Sequence, residues 1–74
     1  MKMLVRLRYL LAEGFDVTSL SGYDDASGEG NAVIMFVEQN ARGQKRVRSE
    51  IFDVDSDEME ACTNLLLAHL MKRD

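Results

Sequence analysis

Apolar and polar positions alternate with different periods along the chain and divide it into five segments. In the first, Met3–Ala12, the residues Leu4, Leu7 and Leu11 recur at the spacing of one helical face. The same stretch also alternates apolar residues with arginines, as a strand would. We favour a helix, because most of its residues are good helix formers and Gly14 follows as a typical helix stop.

The next two apolar segments have the composition of strands. Phe15–Tyr23 is rich in aromatic and β-branched residues and predicts a first strand. Asp24–Asn31 consists largely of Asp, Ser, Gly and Asn, which predicts a mobile acidic loop. Ala32–Val37 is apolar at every position, so we expect a central strand that is covered on both faces.

A hairpin follows the central strand. Residues 40–43 have the length and the glycine of a hairpin loop, and residues 44–54 then form the returning antiparallel strand. We expect Val47 and Ile51 to point into the core, with the basic residues around them exposed to solvent.

The last segment has the strongest helix signals. Asp55 precedes Glu58 at the spacing of a capping box, and Val54 and Met59 flank the helix start as a hydrophobic staple. Helical periodicity predicts a buried stripe made of Met59, Cys62, Leu66, His69 and Leu70.

Three further residues, Leu65, Leu67 and Met71, widen the apolar arc of this helix. They predict a contact with the first helix or with a second copy of the chain. The five segments together predict an α+β protein of order helix-strand-strand-strand-helix, with two helices packed on a three-stranded antiparallel sheet. No repeat or linker divides residues 1–74, so we expect a single compact domain.

Composition narrows the classes of function. A chain of 74 residues buries only about 60 % of its unfolded surface, too little for a two-lobed or large-cofactor enzyme. Cys62 is the only cysteine, which excludes an internal disulfide and favours a reducing compartment. Arg6 and Arg8 interrupt the apolar start as no signal peptide would, and no stretch is long enough to span a membrane. We expect a cytoplasmic protein, in the host cell if it is phage encoded.

Charge is arranged in blocks of one sign, although the net charge is only −4. Residues 13–38 carry six acids and no base, residues 42–48 carry four bases and no acid, and residues 50–60 carry six acids and no base. Such blocks create local fields that steer association with oppositely charged surfaces.

Groups suited to catalysis or metal binding are sparse. His69, the only histidine, follows Cys62 by seven residues, about 10 Å along a helix and too far for direct proton transfer. Asp53, Asp55 and Asp57 have the alternate spacing that opens a calcium loop, but the glycine at its sixth position is missing. We therefore expect no catalytic residue, no cofactor and no metal, and a protein that is not an enzyme.

The basic hairpin is one candidate interaction site, because its bases can neutralise nucleic-acid phosphates and release counterions. Its members are Arg42, Lys45, Arg46 and Arg48. The order of elements is also that of double-stranded-RNA-binding domains, but residues 56–60, where those domains carry lysines, are acidic here. We therefore disfavour direct nucleic-acid binding, and a solvated strand edge that resists aggregation is the simpler interpretation.

The acidic blocks are the second candidate site, because carboxylates in a row can stand in for the phosphates of a duplex. The candidates are Asp24, Asp25 and Glu29 on the loop, and Asp53, Asp55, Asp57 and Glu58 at the end of the third strand and the start of the last helix. Such a surface would occupy a protein that normally holds nucleic acid, with an affinity that falls as salt rises. The alternative is a solvated surface around a well-capped helix.

The chain from the first helix through the sequence LSGYD at residues 20–24, the apolar strand, the hairpin and the last helix resembles a known family. These are the small acidic phage-encoded anti-CRISPR proteins, which inhibit CRISPR effector nucleases. The resemblance implies an inhibitor that blocks the target-DNA-recognition cleft with acidic residues that imitate phosphates. It carries that role to Asp24 and Asp25, and more loosely to Glu29 and Asp53. The basic hairpin departs from the family pattern and can instead engage guide RNA or an acidic patch on the partner.

We therefore expect a small non-enzymatic inhibitor, encoded by a phage or mobile element, whose partner is a nucleic-acid-handling protein complex. The alternative is a small nucleic-acid-binding or regulatory module that uses Arg42–Arg48 and dimerises through the last helix.

Overall fold

The computed structural model describes residues 1–24 and 29–72 and has the predicted order of elements. A helix is followed by three strands and a second helix, which confirms the α+β class and the helical interpretation of the first segment. The elements are α1 (Lys2–Ala12), β1 (Asp16–Asp24), β2 (Glu29–Gln39), β3 (Lys45–Asp55) and α2 (Ser56–Met71).

The helix stop predicted at Gly14 has a defined backbone geometry. Gly14 adopts a φ of +84°, a left-handed conformation that glycine reaches without steric cost. Its N–H donates to the carbonyl oxygen of Leu11, and the N–H of Phe15 donates to that of Leu10, at 3.2 and 3.0 Å. This pair of bonds is a Schellman motif, which ends α1 and turns the chain into β1.

The three strands form one antiparallel sheet in the order β1-β2-β3, so the apolar strand is central, as predicted. The strands are longer than the sequence suggested. Asp24 ends β1, and Glu29–Asn31 begins β2, so these residues are paired in the sheet and do not belong to a loop. Residues 25–28 of the predicted loop lie outside the described residues.

Both helices pack on the same side of the sheet, which we call the helix face. The core there consists of Met3, Leu7, Leu10, Val17, Ala32, Ile34, Phe36, Val54 and Cys62. Because side chains alternate along a strand, Val33, Met35 and Val37 point to the opposite side, the open face. Met35 is 36 % exposed. The expectation that β2 is covered on both faces is therefore wrong.

The expectation for β3 is also wrong, and the register shows why. Phe52 lies opposite the buried Ala32, so Phe52 and Val54 point to the helix face. Odd-numbered positions then point to the open face, where Val47 is 58 % and Ile51 is 71 % exposed. A shift of one residue in register reverses every side chain of a strand, and the short apolar pattern of β3 did not specify the correct choice.

The Asp55 half of the capping box predicted for α2 is confirmed, whereas the Glu58 side chain accepts from the Leu4 N–H of α1. The side chain of Asp55 accepts a hydrogen bond from the Glu58 N–H at 2.8 Å, which satisfies one of the free donors at the helix start. Close above the sheet, Met59 lies over Gly22, where an added Cβ would come within 2.9 Å of the Met59 sulfur. Glycine at position 22 thus lets the first turn of α2 approach β1.

The buried stripe of α2 is narrower than predicted. Cys62 is fully buried and His69 half-buried, but Leu70 is 46 % exposed. Leu70 follows Cys62 by eight residues, which places it about 80° round the helix from the buried direction. By the same geometry Leu65 packs against the core, whereas Leu67 and Met71 point outward and are exposed.

Candidate functional site

The folded chain turns the charge blocks of the sequence into two ends of one sheet. β3 runs from Lys45, opposite Gln39, to Asp55, opposite Glu29. The two positions are the ends of an 11-residue strand, so at about 3.3 Å per residue they are roughly 33 Å apart. The molecule itself measures 45 by 24 by 16 Å. The charges of opposite sign at the two ends of β3, Lys45 and Asp55, therefore lie far apart.

We call the end of the sheet near α2 the acidic end. It contains Asp53 and Asp55 on β3 and Asp57 in the first turn of α2, all three exposed. Asp53 and Asp55 are two positions apart on one strand, with about 6.7 Å between their Cα atoms, and the Asp55 side chain turns to the start of α2, which it caps. The salt bridges found in the described part of the chain involve none of the three. Their negative charge is therefore not paired with a side-chain cation there, although Asp55 caps α2 and Asp57 lies in its first turn, at the positive end of the helix dipole.

Three other acidic candidates fall near this end or outside the described structure. The backbone register places Asp24 opposite Gly30 and Glu29 opposite Asp55, at the same end of the sheet as Asp53. Asp25 lies outside the described residues. The structure therefore brings the backbones of Asp24 and Glu29 to the acidic end, although 24 or more positions separate them from Asp53 in sequence.

Glu58 does not belong to this surface. It is only 6 % exposed, and its carboxylate oxygen Oε2 accepts a hydrogen bond from the Leu4 N–H at 3.2 Å. The carboxylate thus satisfies a free donor in the first turn of α1, where negative charge also complements the helix dipole. Glu58 therefore has a structural role, because it joins α2 to α1. This corrects the prediction that it is one of the surface carboxylates.

The opposite end, the basic end, consists of Arg42, Lys45, Arg46 and Arg48. Two of these bases are paired with one acid. Arg46 and Arg48 each donate to a different oxygen of Glu38, both at 3.1 Å. The two guanidinium groups hold the pKa of Glu38 below its usual value, mainly through the hydrogen bond from Arg48. Half of the basic hairpin is therefore partly neutralised.

The hairpin loop is held by its own side chains. The Asn40 carboxamide oxygen accepts hydrogen bonds from the N–H groups of Arg42 and Gln44, at 2.9 and 3.0 Å. Gly43 takes the left-handed conformation with a φ of +80°. Arg42 and Lys45 are exposed, and the salt bridges of the described residues include neither. All four bases of this end are exposed, and Arg42 and Lys45 are the two that have no carboxylate partner among the described residues.

Glu38 was missed as part of the site, although the sequence contains a signal for it. The loop length sets the register of the hairpin, and that register places Glu38 directly opposite Arg46. The pair between Arg6 and Glu50 carries no such signal, because 44 positions separate the two residues. Its two hydrogen bonds, 2.8 and 3.0 Å, make Glu50 a structural contact between α1 and β3.

The groups considered for catalysis lie in the core or apart from one another. Cys62 is fully buried, and burial raises the pKa of its thiol, with a smaller contribution from Glu58. His69 is half-buried further along the same helix. Within residues 1–24 and 29–72 no three His, Cys, Asp or Glu side chains are grouped to hold a metal ion. The exposed charged ends therefore remain the candidate functional sites.

Comparison with known protein families, with curated proteins and with solved structures gives no match to this chain. Among the described residues, neither helix combines the length and the apolar character that crossing a membrane requires.

Proposed function

We propose that this protein is a non-enzymatic inhibitor, encoded by a phage or mobile element, that binds a nucleic-acid-handling complex of the CRISPR type. It blocks that complex by presenting an acidic surface in place of DNA and by occluding the site. The observation that carries the proposal is the acidic end, where Asp53, Asp55 and Asp57 are exposed and form no salt bridge within the described structure.

Carboxylates in a regular row are complementary to a partner surface that normally binds phosphates. Asp53 and Asp55 are fixed by strand pairing, and Asp57 is fixed by the first turn of α2. The backbone at these positions needs no ordering when a partner binds, which limits the conformational entropy lost on association. Complementary charge also speeds encounter and selects against partners of the same sign.

The charges at the basic end and the net charge of the chain disfavour direct binding to nucleic acid. A polyanion that approaches the basic end meets Glu38 between Arg46 and Arg48, and the whole chain carries a net charge of −4. Each cation already paired with a carboxylate contributes less to phosphate binding, because that carboxylate must first be displaced. The partner is therefore a protein whose own surface is basic.

The test is inhibition of DNA cleavage by purified bacterial RNA-guided nucleases, with and without this protein. The Asp53→Asn/Asp57→Asn double variant removes two charges from the acidic end. The Glu13→Gln/Asp16→Asn double variant removes two from exposed positions elsewhere and is the matched control. We expect the first variant to lose tenfold or more in inhibitory potency and the control to lose little, with potency falling as salt rises.

Two outcomes would contradict the proposal. One is that no nuclease of the panel is inhibited at micromolar protein and low salt. The other is that both double variants inhibit equally well. A fluorescence-anisotropy titration with duplex DNA and RNA then decides the alternative: binding that is lost in Arg42→Ala/Lys45→Ala would identify a nucleic-acid-binding module.

A further inference from the structure

The open face of the sheet exposes apolar side chains that neither helix covers. On β2, Val33 and Val37 flank Met35, which is 36 % exposed. On β3, Val47 and Ile51 are 58 and 71 % exposed. An apolar sheet face open to water is the usual sign of a surface that another protein covers.

The residues of this face are arranged symmetrically about the row that joins Met35 to Ser49, which are opposite each other in the register. On β2, Val33 and Val37 lie two positions to either side of Met35. Reversing the strand therefore exchanges one valine for another. The apolar pattern of the central strand reads the same in both directions.

β3 has the same symmetry, with opposite charges at its two ends. Val47 and Ile51 lie two positions to either side of Ser49, and Lys45 and Asp53 lie four positions to either side. Reversing the strand superimposes an apolar residue on an apolar residue and a lysine on an aspartate. The open face is thus complementary to a reversed copy of itself, both in the positions of its apolar residues and in charge.

We propose that a second copy of this chain docks on the open face. The two-fold axis lies parallel to the sheets and perpendicular to the strands, at the level of Met35 and Ser49. In this arrangement Met35 meets Met35 of the other copy, Val47 meets Ile51, and Lys45 meets Asp53. Such an interface is isologous, since the same patch serves both copies, and the two sheets pack at the usual spacing of about 10 Å.

The area of the open face indicates how strong the dimer is. Three strands about 4.8 Å apart and roughly 35 Å long give a face of about 500 Å². Pairing two copies then buries on the order of 1,000 Å² in total, the range of weak and reversible complexes. We expect dimerisation at tens to hundreds of micromolar protein. Asp57 lies on α2, on the far side of the sheet, and stays accessible in the dimer.

Sedimentation equilibrium from 10 µM to 1 mM protein tests the proposal. The wild-type mass should rise from the 8.4 kDa of the chain toward twice that value. Met35→Glu places two carboxylates face to face at the axis and should weaken the dimer tenfold or more. Val5→Glu is the matched control, because Val5 is 66 % exposed on α1, away from the open face. Far-UV circular dichroism confirms that both variants fold.

A charge exchange tests the reversed orientation. Lys45→Asp and Asp53→Lys should each weaken the dimer, and the double variant should restore it, because the two positions meet across the axis. The proposal fails if wild type stays monomeric at 1 mM, if Met35→Glu dimerises like wild type, or if the double variant is not restored. Dimerisation that survives Met35→Glu would indicate edge pairing of β3 or, if Leu70→Glu abolishes it, contact through the end of α2. Asp53 belongs both to the acidic end and to this interface, so the dimer is judged by sedimentation, which measures self-association alone and does not depend on the inhibitory function.

Discussion

At the residue scale, single carboxylates that look alike in the sequence have different roles in the structure. Glu58 is buried between the helices, Glu50 is paired with Arg6, and Glu38 lies between two arginines. Asp53 and Asp57 remain exposed without an ion-pair partner in the described part of the chain. The acidic end is thus built from fewer residues than the acidic blocks contain.

Glu38 leads to a prediction about the basic end. Glu38→Gln removes the charge that holds Arg46 and Arg48, so we expect the variant to bind duplex DNA more tightly than wild type at low salt. Fluorescence anisotropy measures the change, and Glu13→Gln, which alters the net charge equally, is the control. Equal affinity of the two variants would show that Glu38 does not restrain the arginines.

The pH dependence of the same contact has a definite sign. Because the folded protein lowers the pKa of Glu38, the contact adds stability at pH values above the ordinary pKa of 4.5. That contribution is lost as the pH falls through the lowered pKa, where the folded protein also takes up the proton. Binding of wild type to DNA should therefore approach that of Glu38→Gln at the acid end of this range.

At the element scale, α2 depends on the residue that precedes it. The Asp55 side chain caps the helix, and the helix carries both Met59 over Gly22 and Cys62 in the core. The same aspartate belongs to the acidic end. One residue thus serves the start of the helix and the candidate surface, and the two roles can be separated by substitution.

Asp55→Ala removes both the cap and the charge, whereas Asp55→Asn removes only the charge, because asparagine caps as well as aspartate. We expect Asp55→Ala to lower the free energy of unfolding by about 0.5–2 kcal/mol and Asp55→Asn to change it little. Urea denaturation followed by circular dichroism measures both. A similar loss in the two variants would show that charge at the helix start, and not the cap, stabilises α2.

At the scale of the whole molecule, one core cluster holds both helices to the helix face. Met3, Leu7 and Leu10 from α1 contact the same cluster as Cys62 from α2 and Phe36 from β2. Since no second core exists among the described residues, the parts cannot unfold independently at low cost. The open face adds nothing to this core in the single chain.

Cys62 reports on this cooperativity. Burial raises the pKa of its thiol above the ordinary value of 9.0, so at pH 8 the folded protein should react with a thiol reagent far more slowly than the urea-unfolded chain. The reaction rate across a urea series should follow the loss of helical circular dichroism. Asn64→Cys in a Cys62→Ala background is the exposed control. Fast labelling of native Cys62 would indicate local opening of α2.

The raised pKa of the Cys62 thiol adds stability that is present below pH 9 and decreases as the pH rises further, because the unfolded chain loses the proton first.

The order of elements, the end of α1, the hairpin loop and the start of α2 were predictable because they depend on local signals, whereas the ends of β1 and β2 around the predicted loop were not. The Asp55 cap, the Gly14 stop and the hairpin loop at residues 40–43 act over a few positions, so the sequence around each contains the whole signal. The direction in which Val47 and Ile51 point was not predictable, because it depends on which residue of β3 pairs with Ala32. Pairing partners are selected by the total burial of the sheet, which no single segment contains.

For the candidate site, the sequence alone determined the sign and the grouping of the charges, since these are properties of residue type and position. It also determined that acidic residues end β3 and begin α2. The tertiary structure decided which charges are free, because Arg6 reaches Glu50 and the Leu4 N–H reaches Glu58 only when α1 packs on the sheet and α2. It also decided that the sheet has an open face. The open face exists because both helices pack on one side of the sheet. That packing depends on the burial of the whole core and is not specified by any local pattern.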